Sequence, residues 1–534
     1  MVMFIYAQDD AGVMSRRTVM HKYSPATLEF VGEVEATPPE EIPSIIQKAR
    51  EAQAEWYALP LENREKTLRQ VQKALADRTE EFVELVSLET GKPVMEALAT
   101  DVMNALSVGD FSLERMEHLF REGKVEFGSI STMMRYMGRS SYLIPRPLGV
   151  VGIITPWNYP LALPYSQVMM ALAAGNAVVL KPSSHTPLTA LRMREMMVKA
   201  GLPDQLLHVI IGSGEEVGEA LVSSDVDRLV FTGHPDVGRR IMTLAAQRLT
   251  PLTLELGGKD AFIVLKDADL RRAAKAACWG SFVNCGQTCV AVKRIYLHRS
   301  VEAKFTDLFL KEVQALKQGY DPEDPSLTLG PLISERAVQD MEAQVARALE
   351  QGAKVLTGGK RMPGHKGHFF EPTVIVGAAQ SSDIVQKETF GPVVVLLTFG
   401  DEEEAVRLNN DSLYALNGSV WTSDLAKGRD MATKLKSGTI TVNNVAYTYG
   451  LGATPWGGRG ESGFGRTHGD AGFEEMIERQ HVHLDHGKFP SEIWWPPYGE
   501  ESMEAMRNFT MMAFIGDRSR MLQRLLKARR LMKR

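Results

Sequence analysis

The stretch Gly149–Lys181, GVVGIITPWNYPLALPYSQVMMALAAGNAVVLK, decides the fold class. Two short apolar runs, GVVGIIT and AVVLK, flank LALPYSQVMMALAAG, which is too long for a strand and reads as a buried helix. Downstream the alternation continues through PLTALRMREMMVKAG, LLHVIIG, RLVFTG, DVGRRIMTLAAQ and LTLELGG. Such a β-α-β series builds a mostly parallel sheet with helices on both faces. A second series begins near Asp260, with AFIVL, RIYLH, VVVLLTF, GSVWT and TITVNN separated by helical segments. The fold class is therefore α/β, with two Rossmann-like domains. Amphipathic spacing over 44–90 and 96–122 adds helices ahead of the first series.

These breaks give an expected division of the chain. Residues 20–134 and 148–258 form a first α/β domain, and 259–462 a second. RYMGRSSYLIPRP (135–147) reads as a hairpin, and HVHLDH (481–486) as a strand. Segments 135–147 and 478–490 are thus expected to be a small β extension suited to subunit contacts. Residues 491–534 form a C-terminal extension.

The 534 residues, 44% hydrophobic and 24% charged, exclude a disordered, collagenous or membrane-embedded chain. The net charge of −5 hides an asymmetry, because Arg518–Arg534 carries eight Lys/Arg and no acid. The rest is more acidic than the total, so nucleic acid is not an expected partner. Met521, Leu522, Leu525, Leu526 and Met532 would share one face of a basic helix, which could dock on an acidic body or touch an anionic membrane. Only three cysteines occur, Cys278, Cys285 and Cys289, which fits a reducing, cytoplasmic location. The opening MVMFIYAQDD lacks the pattern of a secretory signal.

Within FVNCGQTC (282–289) a cysteine sits on a turn between a helix and a strand, open to substrate if a base or oriented dipoles lower its pKa. The plain alternative is a buried thiol acting as a small hydrophobe. Glu255 in LELGGK ends an apolar strand, where burial raises a carboxylate toward general-base duty. Asn158 in TPWNYP follows the first strand, where its amide could hold a developing oxyanion. Gly233 and Gly238 of FTGHPDVG lie at a strand-to-helix junction whose free backbone N–H groups suit a pyrophosphate. His481, His483 and Asp485 alternate on one strand face, and inter-subunit contact is favoured there over metal binding; no metal site is expected.

In order and spacing, TPWNYP, AGNAVVLKP, FTGHPDVG, LELGGKD, FVNCGQTC, ETFGPVV and PWGGRGESGFGR resemble the aldehyde dehydrogenase superfamily over about residues 25–485. The resemblance implies Cys289 as nucleophile, Glu255 as general base, and Asn158 with the Cys289 backbone amide as oxyanion hole. It implies NAD or NADP held by Thr155, Pro156, Trp157, Lys181, Ser184, Gly233, Gly238, Glu388 and Phe390. Ser184 replaces the Glu that many NAD-preferring relatives carry there, which makes room for the 2′-phosphate of NADP. Glu255 favours hydrolysis to a carboxylic acid over transfer to coenzyme A, and the intact trio disfavours an inactive nucleotide-binding relative. AGNAVVLKP and GQTCV also resemble the succinic-semialdehyde branch. That branch commonly has an Arg where this chain has Val283, so an uncharged or apolar aldehyde is expected. Tyr159, Gln167, Phe282, Val283 and Trp456 are the expected pocket residues, Gln167 standing where many members have Lys. A homodimer or homotetramer is the expected assembly.

Overall fold

A computed structural model of the chain describes residues 18–514 together with Gln523 and Leu526. The opening MVMFIYAQDD and, apart from Leu526, the apolar positions expected on the basic C-terminal helix lie outside the described residues. Two compact units form. One holds the chain up to Met116 and Pro147–Met476, and the other holds Glu117–Arg146 with the chain from Ile477.

The larger unit opens on an antiparallel ribbon, β1 (Val19–Tyr23) with β2 (Phe30–Glu35), followed by helices Ile42–Ala58, Leu61–Asp77, Thr79–Thr90 and Met103–Leu119. In the smaller unit, β3 (Gly123–Lys124) pairs antiparallel with β4 (Arg139–Pro147). The expected hairpin over 135–147 does not form. Ser131–Tyr136 is helical and Gly138, at φ +75°, lets the chain leave the helix and enter one long strand.

The first large sheet contains β5 (Val150–Ile154), β6 (Ala177–Lys181), β7 (Leu207–Val209), β8 (Arg228–Thr232) and β9 (Leu252–Glu255), all parallel. Every residue of β6 is buried, as is every residue of the adjoining helix Ala162–Ala173. Hence both read as unbroken apolar runs rather than alternating ones. The second sheet takes β10 (Asp260–Val264), β11 (Val292–His298), β12 (Lys354–Thr357), β13 (Thr373–Val376), β14 (Val393–Phe399), β15 (Asn417–Trp421) and β16 (Thr439–Val442). Its order is β12-β13-β14-β11-β10-β15-β16, with only β12 antiparallel. A late strand, β17 (Gly463–Phe464), returns to the first sheet antiparallel to β9, giving the order β17-β9-β8-β5-β6-β7. In the smaller unit β18 (Ile477–Asp485) completes a sheet of order β18-β4-β3. There His483 Nδ1 lies 2.7 Å from Ser141 Oγ, and Arg139 Nε donates to Asp485.

Both large sheets fall in one unit, and the chain from Glu117 joins the smaller unit rather than the first sheet.

Candidate active site

Parallel sheets gather ligands at the carboxyl ends of their strands, and four such ends carry candidate residues. Thr155 follows β5, Lys181 ends β6, Thr232 and Gly233 close β8, and Glu255 ends β9. The Gly233 N–H donates to the Glu255 carbonyl at 3.0 Å, so the glycine turn and the candidate base share one rung.

Helix Leu270–Phe282 delivers the nucleophile segment and then turns sharply. Asn284, Cys285 and Gly286 have φ of 53°, 55° and 68°, three left-handed residues in succession. Each non-glycine in that region costs roughly 1–2 kcal/mol, so the turn persists because its surroundings over-determine it. The Asn284 N–H donates to Glu96 Oε2 at 3.0 Å, and its side-chain amide donates to the Asn158 carbonyl at 2.9 Å. Gln287 reaches the Pro331 carbonyl and accepts from the Ile333 N–H. Buried Lys293 donates to the carbonyls of Gly286 at 3.0 Å and Gly391 at 2.6 Å, tying the turn to the loop after Phe390. Burial pulls Lys293 down to about 7. A Cβ on Gly286 would meet the Gly391 oxygen at 2.3 Å, so glycine is required here.

Cys289 ends this turn, half-buried and free. Burial first, then the carboxylates of Asp260, Glu255 and Glu388, push its thiol well above the usual range. It therefore rests protonated and needs a base at the moment of attack. A Cβ on Gly258 would lie 2.2 Å from the Cys289 oxygen, and one on Gly257 2.2 Å from Glu388 Oε1. The two glycines after Glu255 thus let the base strand close against both nucleophile and Glu388, whose Oε1 accepts from the Gly258 N–H at 3.3 Å.

Glu255 is buried, and its Oε1 has no protein partner among the described residues. Burial holds its carboxyl well above the usual range, with Arg466 and a hydrogen bond to Trp456 pulling the other way. Asn158 donates through Nδ2 to the Gln287 carbonyl at 3.1 Å. That contact uses one of two amide hydrogens, leaving the other for a ligand. Its backbone is fixed from below, where fully buried Lys92 donates to the Asn158 carbonyl at 2.8 Å and to Asp101 at 2.7 Å. Asp101 in turn accepts from the N–H groups of Leu161 and Ala162 at the start of the following helix. Sequence reading missed Lys92, Asp101 and Glu96. A Lys beside Gly91 reads as a surface turn, and nothing local signals a partner across 66 residues.

Tyr159 places its hydroxyl 2.6 Å from Thr288 Oγ1, beside the nucleophile, with Lys92 4.3 Å over its ring. Trp456 is buried against Tyr449 and Glu255. Gln167 donates to Thr232 Oγ1 at 3.1 Å, beside the glycine turn. Phe282 is not brought to the others, because its ring stacks on Phe309 in the core of the second sheet, whereas Val283 is buried at the start of the turn that leads to Cys289.

The remaining candidates fit a dinucleotide. The Trp157 ring meets Phe390 edge-on at 5.6 Å and His185 at 6.4 Å, linking the two halves of the expected cofactor track. Thr155 Oγ1 is buried without a partner among the described residues. Lys181, drawn down to about 8 by burial, donates to the neighbouring Pro182 carbonyl, and an ammonium has two further hydrogens to give. Gly233 and Gly238 bracket the start of helix Pro235–Ala245, and the Ser184 carbonyl accepts from Lys22.

The sequence pattern of the aldehyde dehydrogenase family matches residues 13–482. A 4,4'-diapolycopene aldehyde oxidase of Methylomonas sp is 34% identical over 507 residues, covering 95% of this chain and 93% of that protein. The structure of betaine aldehyde dehydrogenase from Staphylococcus aureus in complex with NAD+ has a TM-score of 0.84 at 33% identity, covering 90% and 94%. An E. coli NADP dependent enzyme has a TM-score of 0.82 at 32% identity, covering 88% and 95%.

Proposed function

The chain belongs to the aldehyde dehydrogenase family, and from that premise we propose that it oxidises an uncharged, apolar aldehyde to its carboxylic acid through covalent chemistry at Cys289. The observation that carries this reading is the closure of the Glu255–Gly258 strand end on the Cys289 backbone, with Asn158 held against the same turn.

Cys289 Sγ, its proton released to solvent, adds as thiolate to the aldehyde carbon, and the amide of Asn158 with the Cys289 N–H stabilises the oxyanion. A nicotinamide dinucleotide, held by Trp157, Lys181, Ser184, Glu388, Phe390 and the Gly233–Gly238 turn, supplies the hydride acceptor. Oxidation leaves an acyl thioester on Cys289. Glu255 then deprotonates water for attack on the thioester carbon, and the thiolate leaves. A carboxylate at this position supports hydrolysis over transfer to coenzyme A. Ser184 supports NADP as well as NAD, because its hydroxyl can hydrogen-bond a 2′-phosphate that a Glu would repel.

Buried Val283 supports an apolar aldehyde over succinic semialdehyde, whose distal carboxylate would be unpaired beside it. The exposed edge strand β18 supports assembly into a homo-oligomer, since an unpaired edge is a template for another chain. The test follows NAD(P)H formation with aldehydes of graded chain length and with succinic semialdehyde, with and without coenzyme A. Turnover without coenzyme A that improves with apolar chain length is expected. Dependence on coenzyme A, or preference for succinic semialdehyde, overturns the reading.

A further inference from the structure

In the smaller unit, one C-terminal segment exposes large apolar side chains in unusual density. Trp494, Trp495 and Tyr498 are 44%, 56% and 72% exposed. They lead into the helix Glu500–Phe514, which buries Ala505 and exposes Met503, Arg507, Met511 and Phe514, with Glu500 and Glu504, on the opposite face. The segment is fastened in place. Arg139 lies over the Trp494 ring at 5.4 Å and pairs with both Glu492 and Asp485. Single exposed apolar residues are ordinary, whereas a contiguous group of this kind marks a binding surface. Directly after it the sequence becomes strongly basic, eight Lys/Arg without an acid over Arg518–Arg534.

We infer that this face docks on an anionic lipid bilayer. The rings of Trp494, Trp495 and Tyr498 with Met511 and Phe514 seat at the boundary of headgroups and acyl chains, and the Lys and Arg that follow in the sequence carry charge complementary to anionic headgroups. Amphipathic Trp and Tyr rings prefer that boundary, and each Lys or Arg near an anionic surface strengthens binding roughly fivefold. A second copy of the chain is the poorer occupant, because both copies carry the same excess of Lys and Arg directly after this helix. No described helix is long and apolar enough to cross a membrane. The contact is therefore inferred as peripheral. This inference rests on the apolar-aldehyde reading and deepens it, since such aldehydes concentrate in bilayers and docking brings the enzyme to them.

The test sediments the full-length enzyme with vesicles of phosphatidylcholine containing about 30% phosphatidylglycerol, and with phosphatidylcholine alone. Binding to the anionic vesicles is expected, at least about tenfold weaker on the neutral ones and again at about 0.5 M salt. Neutralising Arg524, Lys527, Arg529 and Arg530 to Gln should weaken it by about a hundredfold or more. Trp494→Ala with Trp495→Ala should weaken it at every salt concentration and abolish the blue shift of tryptophan emission on binding. Both variants should keep wild-type kcat/KM on a short, water-soluble aldehyde. That readout separates the two claims, because loss of aldehyde oxidation by the wild type would sink the functional reading whatever the vesicles show. No binding to anionic vesicles, or binding untouched by both variants, overturns the inference. So does a dimer that dissociates in the tryptophan variant while vesicles are ignored, which would assign the face to a second copy.

Discussion

Two turns of the candidate site are built on opposite plans. The nucleophile turn, Val283–Thr288, is buried at every residue, left-handed at three successive positions, and gripped from Glu96, Asn158, Pro331 and Lys293. The glycine turn, Thr232–Gly238, exposes the side chains of His234 and Asp236 by 55% and 77%. It is held mainly by backbone bonds such as Gly233 N–H to Glu255. Covalent chemistry needs its nucleophile fixed to within a fraction of an ångström, whereas a cofactor that leaves after each cycle needs an open floor. The difference teaches where substitutions should hurt.

Removing the nucleophile should have the largest effect. Cys289→Ala is expected to lower turnover by about 10⁴-fold or more while leaving nucleotide affinity nearly unchanged by calorimetry. Measurable turnover in that variant would erase the contrast. Glu255→Gln should spare the first oxidation and slow thioester hydrolysis by about 10²–10³-fold, so stopped-flow traces should show a stoichiometric NAD(P)H burst before a slow steady state. Burial keeps the Glu255 carboxyl protonated well above the usual carboxylate range, and only the ionised form accepts a proton. Wild-type steady-state rate should therefore climb with pH above the ordinary carboxylate range, and Glu255→Gln should lose that dependence in the hydrolysis step. A wild-type rate flat across that range excludes the assignment.

Support from beneath the nucleophile turn comes next. Lys92→Met with Asp101→Asn, which removes both members of the buried ion pair, should lower kcat about ten- to a hundredfold with little change in nucleotide KM. In an Asn158→Ala background the same pair should add almost nothing, because it acts through Asn158. Full additivity would show that Lys92 stabilises the fold and does not aim the amide. On the cofactor side, Ser184→Glu should shift kcat/KM toward NAD by roughly tenfold, about 1.4 kcal/mol. An unmoved ratio would show that another residue sets the choice. Smallest of all, His234→Ala on the open turn should change kcat/KM by less than about threefold. A loss rivalling the Lys92 variant would mean that the open turn is as constrained as the buried one.

The same contrast governs how much was legible beforehand. Cys289, Glu255 and Asn158 stood out because their motifs are local, each a few residues at the end of a strand or helix. The parallel strands β5–β9 and β10, β11, β14, β15 and β16 were readable, since strands buried on both faces leave unbroken apolar runs, whereas the short strands β12, β13 and β17 were not read. What escaped was long-range or conformational. Lys92 is buried because Asp101 and the Asn158 carbonyl meet it, and a lysine's partners are invisible in its neighbours. The left-handed run at Asn284 and Cys285 defies local preference and exists only through tertiary bonds. Phe282 was expected in the pocket, yet one helical turn decides which side a ring faces, and it faces Phe309. At 135–147 a hairpin was expected, whereas Gly138 ends a helix and Arg139–Pro147 is one strand.

The grip on the nucleophile turn has a bearing on biogenesis. Its anchors span the sequence from Glu96 to Gly391, so contacts that overcome the left-handed strain are of high sequence separation. As the chain emerges from a ribosome, Cys289 appears about a hundred residues before its last anchor, so the grip on Asn284 and Cys285 is incomplete until Gly391 follows. The unfinished polypeptide thus carries a relaxed, ordinary thiol. A chain released short of Gly391 lacks the last of the bonds that shape the turn.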